Sequence, residues 1–238
     1  MIISPVNARE ELLAKLRRLS GGSSGPNHKP EMKATSSNEH RTPSPPSGPV
    51  SEDRITALAG ELKRLSGEFY RLPSLDDLPA AVLQLARESH YKRIAVGSDP
   101  VLKEAHLVDR LKDFQDIRQL LNEQDSIPGN DLIKALAQCQ LGITGCEAVI
   151  AETATVLLDH RGFGGRSISL LPECHVVVAR KTWCFSTLDE WMDFRQANPQ
   201  PLPSCLTFIT GPSRTADIEK VLVTGVHGPL RLVLFLVD

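Results

Sequence analysis

The chain has 238 residues, 27 lysines and arginines against 29 aspartates and glutamates, and a formal net charge of −2. This balance lacks the basic excess that binding to a phosphate backbone uses, and it argues against nucleic acid as a partner. No apolar run approaches the roughly 18 residues that cross a bilayer, and the opening MIISPVNARE is charged where a signal peptide needs an apolar core. We therefore expect a cytoplasmic protein with no membrane span.

The five cysteines are an odd number, and no pair has the C-x₂-C spacing of a zinc or iron–sulfur ligand set. The odd count also argues against a framework of disulfides. We expect reduced, mostly buried thiols. The sequence thus predicts no metal site and no cofactor bound by this chain.

Residues 1–50 predict a short helix followed by a flexible linker. Residues 7–19 place four leucines at helical spacing, at Leu12, Leu13, Leu16 and Leu19. Residues 21–50 contain six prolines, four glycines and six serines, and such a stretch buries too little to order itself. The helix is predicted either to pack on its own or a neighbouring subunit, or to dock on a partner protein.

From residue 51 the sequence alternates between helical and strand-like segments. The pattern predicts helices over 51–65, 75–88, 130–138 and 187–196, and strands over 69–72, 93–97, 141–144, 175–179, 205–210 and 230–237. Residues 101–122 fit either a helix or a helix and a strand, and residues 148–158 fit one or two strands with a bend near Glu152.

Strands that are apolar on both faces and separated by helices belong in a mainly parallel sheet with both faces covered. Residues 51–238 are too few for a typical eightfold barrel of about 250 residues. The sequence therefore predicts an α/β domain over 51–238, with a three-layer, open, mainly parallel sheet. Such sheets bind ligands at the carboxyl ends of their strands.

Familiar nucleotide and hydrolase signatures are missing: the chain has no GxxxxGK[ST], no GxGxxG after the RIAV segment, no GxSxG and no HExxH. The glycines of RGFGGRS at 161–167 could form a phosphate-binding nest, but a hairpin loop is the favoured interpretation.

Three clusters of glycines and polar residues stand where strands are predicted to begin or end. They are GITGCEAVIAETATVLL at 142–158, ITGPSRTADIE at 209–219 and TGVHGPLRL at 224–232. We expect them to share one cleft. Its predicted substrate-binding residues are Gly145, Thr153, Gly211, Ser213, Arg214 and Asp217, and its predicted catalytic residues are Glu152 and His227.

In that cleft Arg214 and the amides of 211–213 would hold an anion, and Glu152 or His227 would transfer a proton. A purely structural alternative stands beside each role. Glu152 could pair with a basic residue, Arg214 could fix its loop to Asp217, and His227 could close a turn.

The same segments, together with SLLPECHVVVA at 169–179 and GVHGPLRLVLFLVD at the end of the chain, closely resemble the LUD-domain family, whose type members are the lactate utilization proteins. The resemblance covers roughly residues 52–238 and is strongest over 140–238. It implies the fold shared by ribose-5-phosphate isomerase, glucosamine-phosphate deaminase and the CoA transferases, with a Rossmann-like core. It also implies a role in an iron–sulfur complex that oxidises L-lactate to pyruvate.

The cysteine motifs that hold clusters in that system lie on other polypeptides or on a longer family member, and this chain has none. The resemblance therefore implies an accessory subunit that works with iron–sulfur lactate utilization subunits and binds a small carboxylate or a phosphorylated ligand. The family commonly has glycine where Ala154 stands, which makes the bend near Glu152 less free here.

Two alternatives remain open. One is a self-sufficient enzyme of the same fold group that acts on a sugar phosphate or a CoA thioester, with Glu152 as base or nucleophile. The other is a metabolite-binding module without catalysis, docked through residues 7–19. The sequence also leaves open whether the chain forms a homo-oligomer.

Overall fold

The computed structural model describes residues 49–160, 162–201, 203–216, 222–224 and 228–238. The predicted helix at 7–19 and its linker lie outside these ranges. The helices are α1 (Glu52–Arg64), α2 (Leu78–Glu88), α3 (Pro100–Glu104), α4 (Leu107–Lys112), α5 (Gly129–Ala137), α6 (Ser167–Leu170) and α7 (Leu188–Ala197). None of these helices is long and apolar enough to cross a membrane.

The strands are β1 (Glu68–Leu72), β2 (Arg93–Val96), β3 (Gln119–Leu121), β4 (Leu141–Thr144), β5 (Ala148–Ile150), β6 (Thr155–Asp159), β7 (Cys174–Arg180), β8 (Cys184–Phe185), β9 (Leu206–Thr210), β10 (Arg214–Ala216), β11 (Leu222–Thr224) and β12 (Arg231–Val237). Short 3₁₀ turns cover Leu75–Asp77, Ala151–Thr153 and Lys181–Trp183.

Six of these strands form one sheet, in the order β1-β12-β7-β4-β2-β3. Every neighbouring pair in it is parallel. Three of the four inner strands, β4, β7 and β12, are buried along almost their whole length, as the sequence pattern predicted. The predicted open parallel α/β sheet is confirmed.

Helices cover both faces of this sheet. On one face α2, α3 and α4 pack on alternate residues of β2, β4, β7 and β12, and Leu78, Leu102 and Leu107 are buried there. On the other face α5 and α6 cover the half near β2, through Leu136 and Ile168. The residues of the ambiguous segment 101–122 fold as α3, α4 and the edge strand β3.

A second, four-stranded sheet, which the sequence did not predict, covers the rest of that face. Its order is β8-β5-β6-β9, and β6 runs antiparallel to both β5 and β9. It shares the third layer with α1, whose Ile55, Leu58 and Leu62 are buried between the two sheets. Helix α7 covers its outer face with Trp191 and Met192.

The bend predicted near Glu152 is the turn between β5 and β6. The 3₁₀ turn Ala151–Thr153 ends at Ala154, whose φ of 47° lies in the left-handed region. Glycine adopts this region without steric cost, whereas alanine is strained in it. Residues 148–158 therefore fold back on themselves as a hairpin.

Two helices begin at side chains that cap them. The Ser51 hydroxyl oxygen accepts a hydrogen bond from the Arg54 N–H at 3.3 Å at the start of α1. The Thr187 hydroxyl oxygen accepts one from the Glu190 N–H at 3.1 Å at the start of α7. These caps satisfy N–H groups that a helix leaves unpaired, and they fix both boundaries where the sequence predicted them.

Strand order changes direction at β2, which has β3 on one side and β4 on the other. At such a switch point the loops that follow the two central strands separate and leave a crevice. Here these are the loop after β2, residues 97–99, and the loop after β4, which begins at Gly145.

Candidate functional site

A small cavity lies at this switch point, between the loops after β2 and β4 and the loop that joins β6 to α6. Its volume of about 20 Å³ has room for roughly one water-sized group. The cavity is lined by Asp99, Thr144, Gly145, Leu158, Asp159, His160, Gly162, Phe163, Gly165 and Ile168. We refer to it as the switch-point cavity.

Asp99 brings a carboxyl group to this cavity from the loop after β2. Burial raises the pKa of Asp99, and the neighbouring charge of Asp159 raises it further, while the backbone N–H groups of Gly145 and of Asp99 itself oppose the shift by donating hydrogen bonds. A buried carboxyl at the mouth of a crevice is a common feature of functional sites.

Gly145 allows the two loops to come this close. A Cβ atom at position 145 would lie 2.7 Å from the Cβ of Asp99 and 2.9 Å from a methyl carbon of Val101. Any other residue would push the loop after β2 away. The predicted site residue Gly145 is thus part of the cavity, where the absence of a side chain gives Asp99 its position.

Thr144 and His175 form a buried polar pair on the neighbouring strands β4 and β7. The Thr144 hydroxyl and His175 Nε2 are 2.8 Å apart, and the His175 side chain is fully buried. Burial lowers the pKa of His175 to about 3, so the ring is neutral at pH 7. Its Nδ1 atom has no hydrogen-bond partner among the residues that the structure describes.

His160 and Ser98 hold the loop over the cavity. His160 Nε2 lies 2.7 Å from the Thr207 hydroxyl, and the ring also bonds the backbone of Gly165. Burial lowers the pKa of His160, which keeps the ring neutral at pH 7. The Ser98 hydroxyl oxygen accepts a hydrogen bond from the Phe163 N–H at 2.8 Å, so the glycine-rich segment at 162–167 is anchored on the loop after β2.

The polar groups of the cavity decide what it can bind. Two of the lining residues that the structure describes are aspartates, and a third is the hydroxyl-bearing Thr144. The Thr144 hydroxyl and the Asp99 carboxyl can each form a hydrogen bond with an oxygen group placed in the cavity.

The structure places the predicted catalytic residue Glu152 away from this cavity. Glu152 is exposed, and its carboxylate accepts a hydrogen bond from the Leu188 N–H at 3.3 Å, at the start of α7. Glu152 precedes β6, whereas Leu158 and Asp159 at the other end of β6 line the cavity. Four residues of strand correspond to roughly 13 Å, so Glu152 and Gly145 lie at separate places.

Thr153 and Gly211, two predicted substrate-binding residues, do lie near each other. The Thr153 and Thr155 hydroxyls are 2.8 Å apart, and the Thr155 hydroxyl is 2.6 Å from that of Thr210. Gly211 follows Thr210 with a φ of 82° and packs against Leu65 at the end of α1.

Ser213 lies at the edge of the main sheet where its strands begin, next to the turn that precedes β12. Its N–H donates to the Pro229 carbonyl at 3.0 Å, and a Cβ atom at Gly228 would approach the Ser213 Cβ to 3.2 Å. The structure therefore joins the second and third predicted clusters to each other, but not to Gly145. The backbone of Arg214 starts the hairpin β10–β11, and Asp217 and His227 lie outside the described residues.

All five cysteines are free. Burial raises the pKa of Cys139 to about 11, of Cys184 to about 11 and of Cys174 to about 12, and it also raises the pKa of Cys146. A buried thiol with a raised pKa stays protonated and is a poor metal ligand. Within the described residues, no group of three or more cysteine, histidine or acidic side chains is placed to hold a metal ion.

Sequence reasoning missed Asp99, His160 and His175, and it placed Thr144 within the predicted cluster at 142–158 without giving it a role. The signal was present for Asp99, which follows a buried strand in the segment GSDP. What the sequence did not provide was the strand order, and the strand order decides which loops meet at the switch point.

The LUD domain model matches residues 55–237, almost the whole described part of the chain. The chain belongs to the LUD-domain family. It is 34% identical over 195 residues to lactate utilization protein C of Bacillus subtilis, a match that covers 80% of this chain and 81% of that protein. Lactate utilization protein C of Halalkalibacterium halodurans is 32% identical over 191 residues, covering 79% of this chain and 80% of that protein.

A third relative, the uncharacterized protein YkgG of Escherichia coli, is 30% identical over 161 residues and covers 66% of this chain and 68% of that protein. Among solved structures, a DUF162 family protein from Deinococcus radiodurans is similar, with a TM-score of 0.58 and 24% identity. That match covers 80% of this chain and all of the other. It supports the shared α/β fold of this LUD-domain chain.

Proposed function

We propose that this chain is a component of an L-lactate utilization system and works as its subunit without iron–sulfur clusters. The observation that carries the proposal is the similarity to two proteins named lactate utilization protein C, over about four fifths of each chain. In this proposal the clusters lie on partner subunits, as the dispersed, mostly buried thiols of this chain favour.

The oxidation of lactate removes a hydride equivalent and a proton, and the redox chemistry needs an acceptor beyond ordinary side chains. In this proposal, the role of this chain is to bind and orient a small ligand, while partner subunits supply the electron acceptor. The switch-point cavity supports that role best, because it combines a buried carboxyl, a buried hydroxyl and a crevice at the carboxyl edge of a parallel sheet.

The predicted anion site at Gly211–Arg214 becomes a separate proposal. Ser213 meets the 228–229 turn and Gly211 packs against Leu65, and neither lines the switch-point cavity. Arg214→Ala should weaken binding of inorganic phosphate or a small carboxylate there, and titration of the full chain with each anion measures it. Unchanged binding would contradict the anion role.

The alternative of a self-sufficient sugar-phosphate or CoA-thioester enzyme gains less support. Glu152, its proposed base or nucleophile, is exposed and bonded to the start of α7. A binding module without catalysis uses the same cavity as the leading proposal, and the two differ in whether partner subunits need this chain for lactate turnover.

The proposed function is tested by deleting the gene in its host and growing the strain on L-lactate as the only carbon source. We expect growth on lactate to fail, growth on glucose to persist, and a plasmid copy to restore growth on lactate. Normal growth of the deletion strain on lactate, with no second copy of the gene present, would contradict the proposal.

A further inference from the structure

His175 determines whether the Thr144 hydroxyl donates or accepts a hydrogen bond at the switch-point cavity. The neutral ring of His175 carries one proton, on Nδ1 or on Nε2. Within the described part of the chain Nδ1 has no partner, and a buried N–H without an acceptor costs more than a buried nitrogen lone pair. The proton therefore belongs on Nε2, which donates to the Thr144 oxygen 2.8 Å away.

This arrangement leaves the Thr144 hydroxyl hydrogen to be donated elsewhere. A hydroxyl group has one hydrogen to donate and two lone pairs to accept with. Because one lone pair accepts from His175, Thr144 acts as a donor toward its open side, where it is 6% exposed and lines the cavity.

Asp99 supplies the complementary acceptor on the same cavity. Its carboxyl group is held by the N–H groups of Gly145 and of its own backbone, and a carboxylate retains further lone pairs after accepting two bonds. One donor and one acceptor at a cavity for a single oxygen match an alcohol group, which both accepts and donates a hydrogen bond.

We propose that the switch-point cavity binds the hydroxyl oxygen of a small 2-hydroxy acid, with Thr144 donating to that oxygen and Asp99 accepting its proton in a hydrogen bond. His175 acts as a positioning residue that orients Thr144. The choice of a 2-hydroxy acid rests on the proposed function, whereas the choice of an alcohol group rests on the cavity.

Size supports an alcohol as the group inside. A volume of about 20 Å³ accommodates one oxygen, so the carboxylate of a 2-hydroxy acid stays outside. The inner wall thus distinguishes a hydroxyl group from a hydrogen atom at carbon 2 of the ligand.

The test compares L-lactate with propionate, which has the same carboxylate and no hydroxyl. Binding to the full chain is measured by titration calorimetry and by the thermal midpoint at equal ligand concentrations, because a ligand that binds the native state raises that midpoint. We expect L-lactate to bind and to raise the midpoint, and propionate to bind at least about tenfold more weakly.

Four variants assign the effect to the cavity. Thr144→Val and Asp99→Asn should each weaken L-lactate binding about tenfold, and Thr144→Ser, which keeps the hydroxyl, should bind nearly as the wild type. Thr155→Val, which removes another buried strand hydroxyl away from the cavity, should leave binding unchanged. Circular dichroism checks that each variant is folded.

Equal binding of L-lactate and propionate, no binding of L-lactate, or undiminished binding by both Thr144→Val and Asp99→Asn would overturn the inference. If Thr144→Val fails to fold, Asp99→Asn and Thr144→Ser still decide it. The proposed function fails separately, through growth of the deletion strain on lactate, so the two results are distinguishable.

Discussion

A buried acidic residue that costs stability is a mark of a functional position, and Asp99 has this character. Burial raises the pKa of Asp99 in the folded protein, so the ionised form destabilises the fold as the pH rises through that pKa. The cost is absent at pH values below the ordinary pKa of an aspartate, where the residue is protonated in both states.

We therefore predict that Asp99→Asn raises the thermal midpoint by a few degrees at pH 8 and by less at about pH 3, below the ordinary pKa of an aspartate. Asparagine keeps the shape and can still accept the Gly145 N–H, but it carries no charge. Thermal unfolding of the wild type and the variant at both pH values measures the effect. Asp116→Asn, at an exposed ion pair with Arg87, is the matched control and should change the midpoint little.

A lower midpoint for Asp99→Asn at both pH values would show that the carboxylate stabilises the fold. Asp99 would then be a structural residue, and the case for the switch-point cavity as a binding site would be lost.

His175 makes stability depend on acid pH. Its pKa in the folded protein is about 3, below the value near 6.5 of an exposed histidine. Between these two pH values the unfolded chain therefore binds a proton that the folded chain does not bind. The contribution of a neutral His175 is full above pH 6.5 and is lost as the pH falls toward 3.

This predicts a loss of about 1.4 kcal/mol in the free energy of unfolding per pH unit below 6.5 from this residue alone. Urea unfolding at several pH values between 7 and 4.5 measures the slope, and His175→Gln should reduce it. His106→Asn, a change at an exposed histidine whose left-handed φ of 49° suits asparagine, should keep the wild-type slope. An unchanged slope in His175→Gln would contradict the assignment.

Among the elements, the loops after β2 and β4 pack closely against each other at Gly145. Gly145→Ala would place a methyl group 2.7 Å from the Cβ of Asp99, and overpacking of this kind costs about 1–3 kcal/mol. Gly60 lies in α1, and a Cβ atom added there would have no neighbour within 4 Å. Gly60→Ala should therefore stabilise the helix by about 0.5–1 kcal/mol.

Urea unfolding of the two glycine variants checks these opposite signs. L-lactate binding should fall in Gly145→Ala and stay unchanged in Gly60→Ala. A Gly145→Ala variant with wild-type stability and binding would show that the two loops do not need their close approach.

The turn between β5 and β6 gives Glu152 a structural role at the start of α7. Glu152→Gln keeps an oxygen for the Leu188 N–H but loses the charge that favours a helix N-terminus, at a cost of about 0.3–1 kcal/mol. We expect a slightly lower thermal midpoint and unchanged L-lactate binding. Loss of binding with an unchanged midpoint would instead restore Glu152 as a site residue.

The sequence predicted most elements because their signals are local. The cap at Ser51, the apolar strands at 93–97 and 175–179, and the bend near Glu152 each depend on neighbouring residues, and the structure has them in place. The strand predicted over 175–179 is β7, which extends one residue further at each end, from Cys174 to Arg180.

The second sheet and the site were harder to predict from the sequence, because both depend on contacts between segments that are distant along the chain. The hairpin of β5 and β6 needs β8 and β9, which lie about 30 to 60 residues further along the chain. Gly145 was predicted as a site residue because a strand ends there, yet the residue that it contacts is Asp99 from another loop.

At the scale of the whole molecule, we propose that this LUD-domain chain binds a ligand in the switch-point cavity and that partner subunits carry out the electron transfer. Its cysteines are dispersed and mostly buried, and its cavity presents hydrogen-bonding groups. The central claim is this division of labour, in which this chain binds the ligand and the cluster-bearing subunits transfer the electrons.

The reduction of an artificial electron acceptor with L-lactate as donor tests that claim most directly. The isolated full chain should show no lactate-dependent reduction, and adding it to the iron–sulfur subunits of the same system should raise their lactate-dependent rate well above that of the subunits alone. Sustained lactate-dependent turnover by the isolated chain, or a full rate from the iron–sulfur subunits without it, would contradict this division of labour.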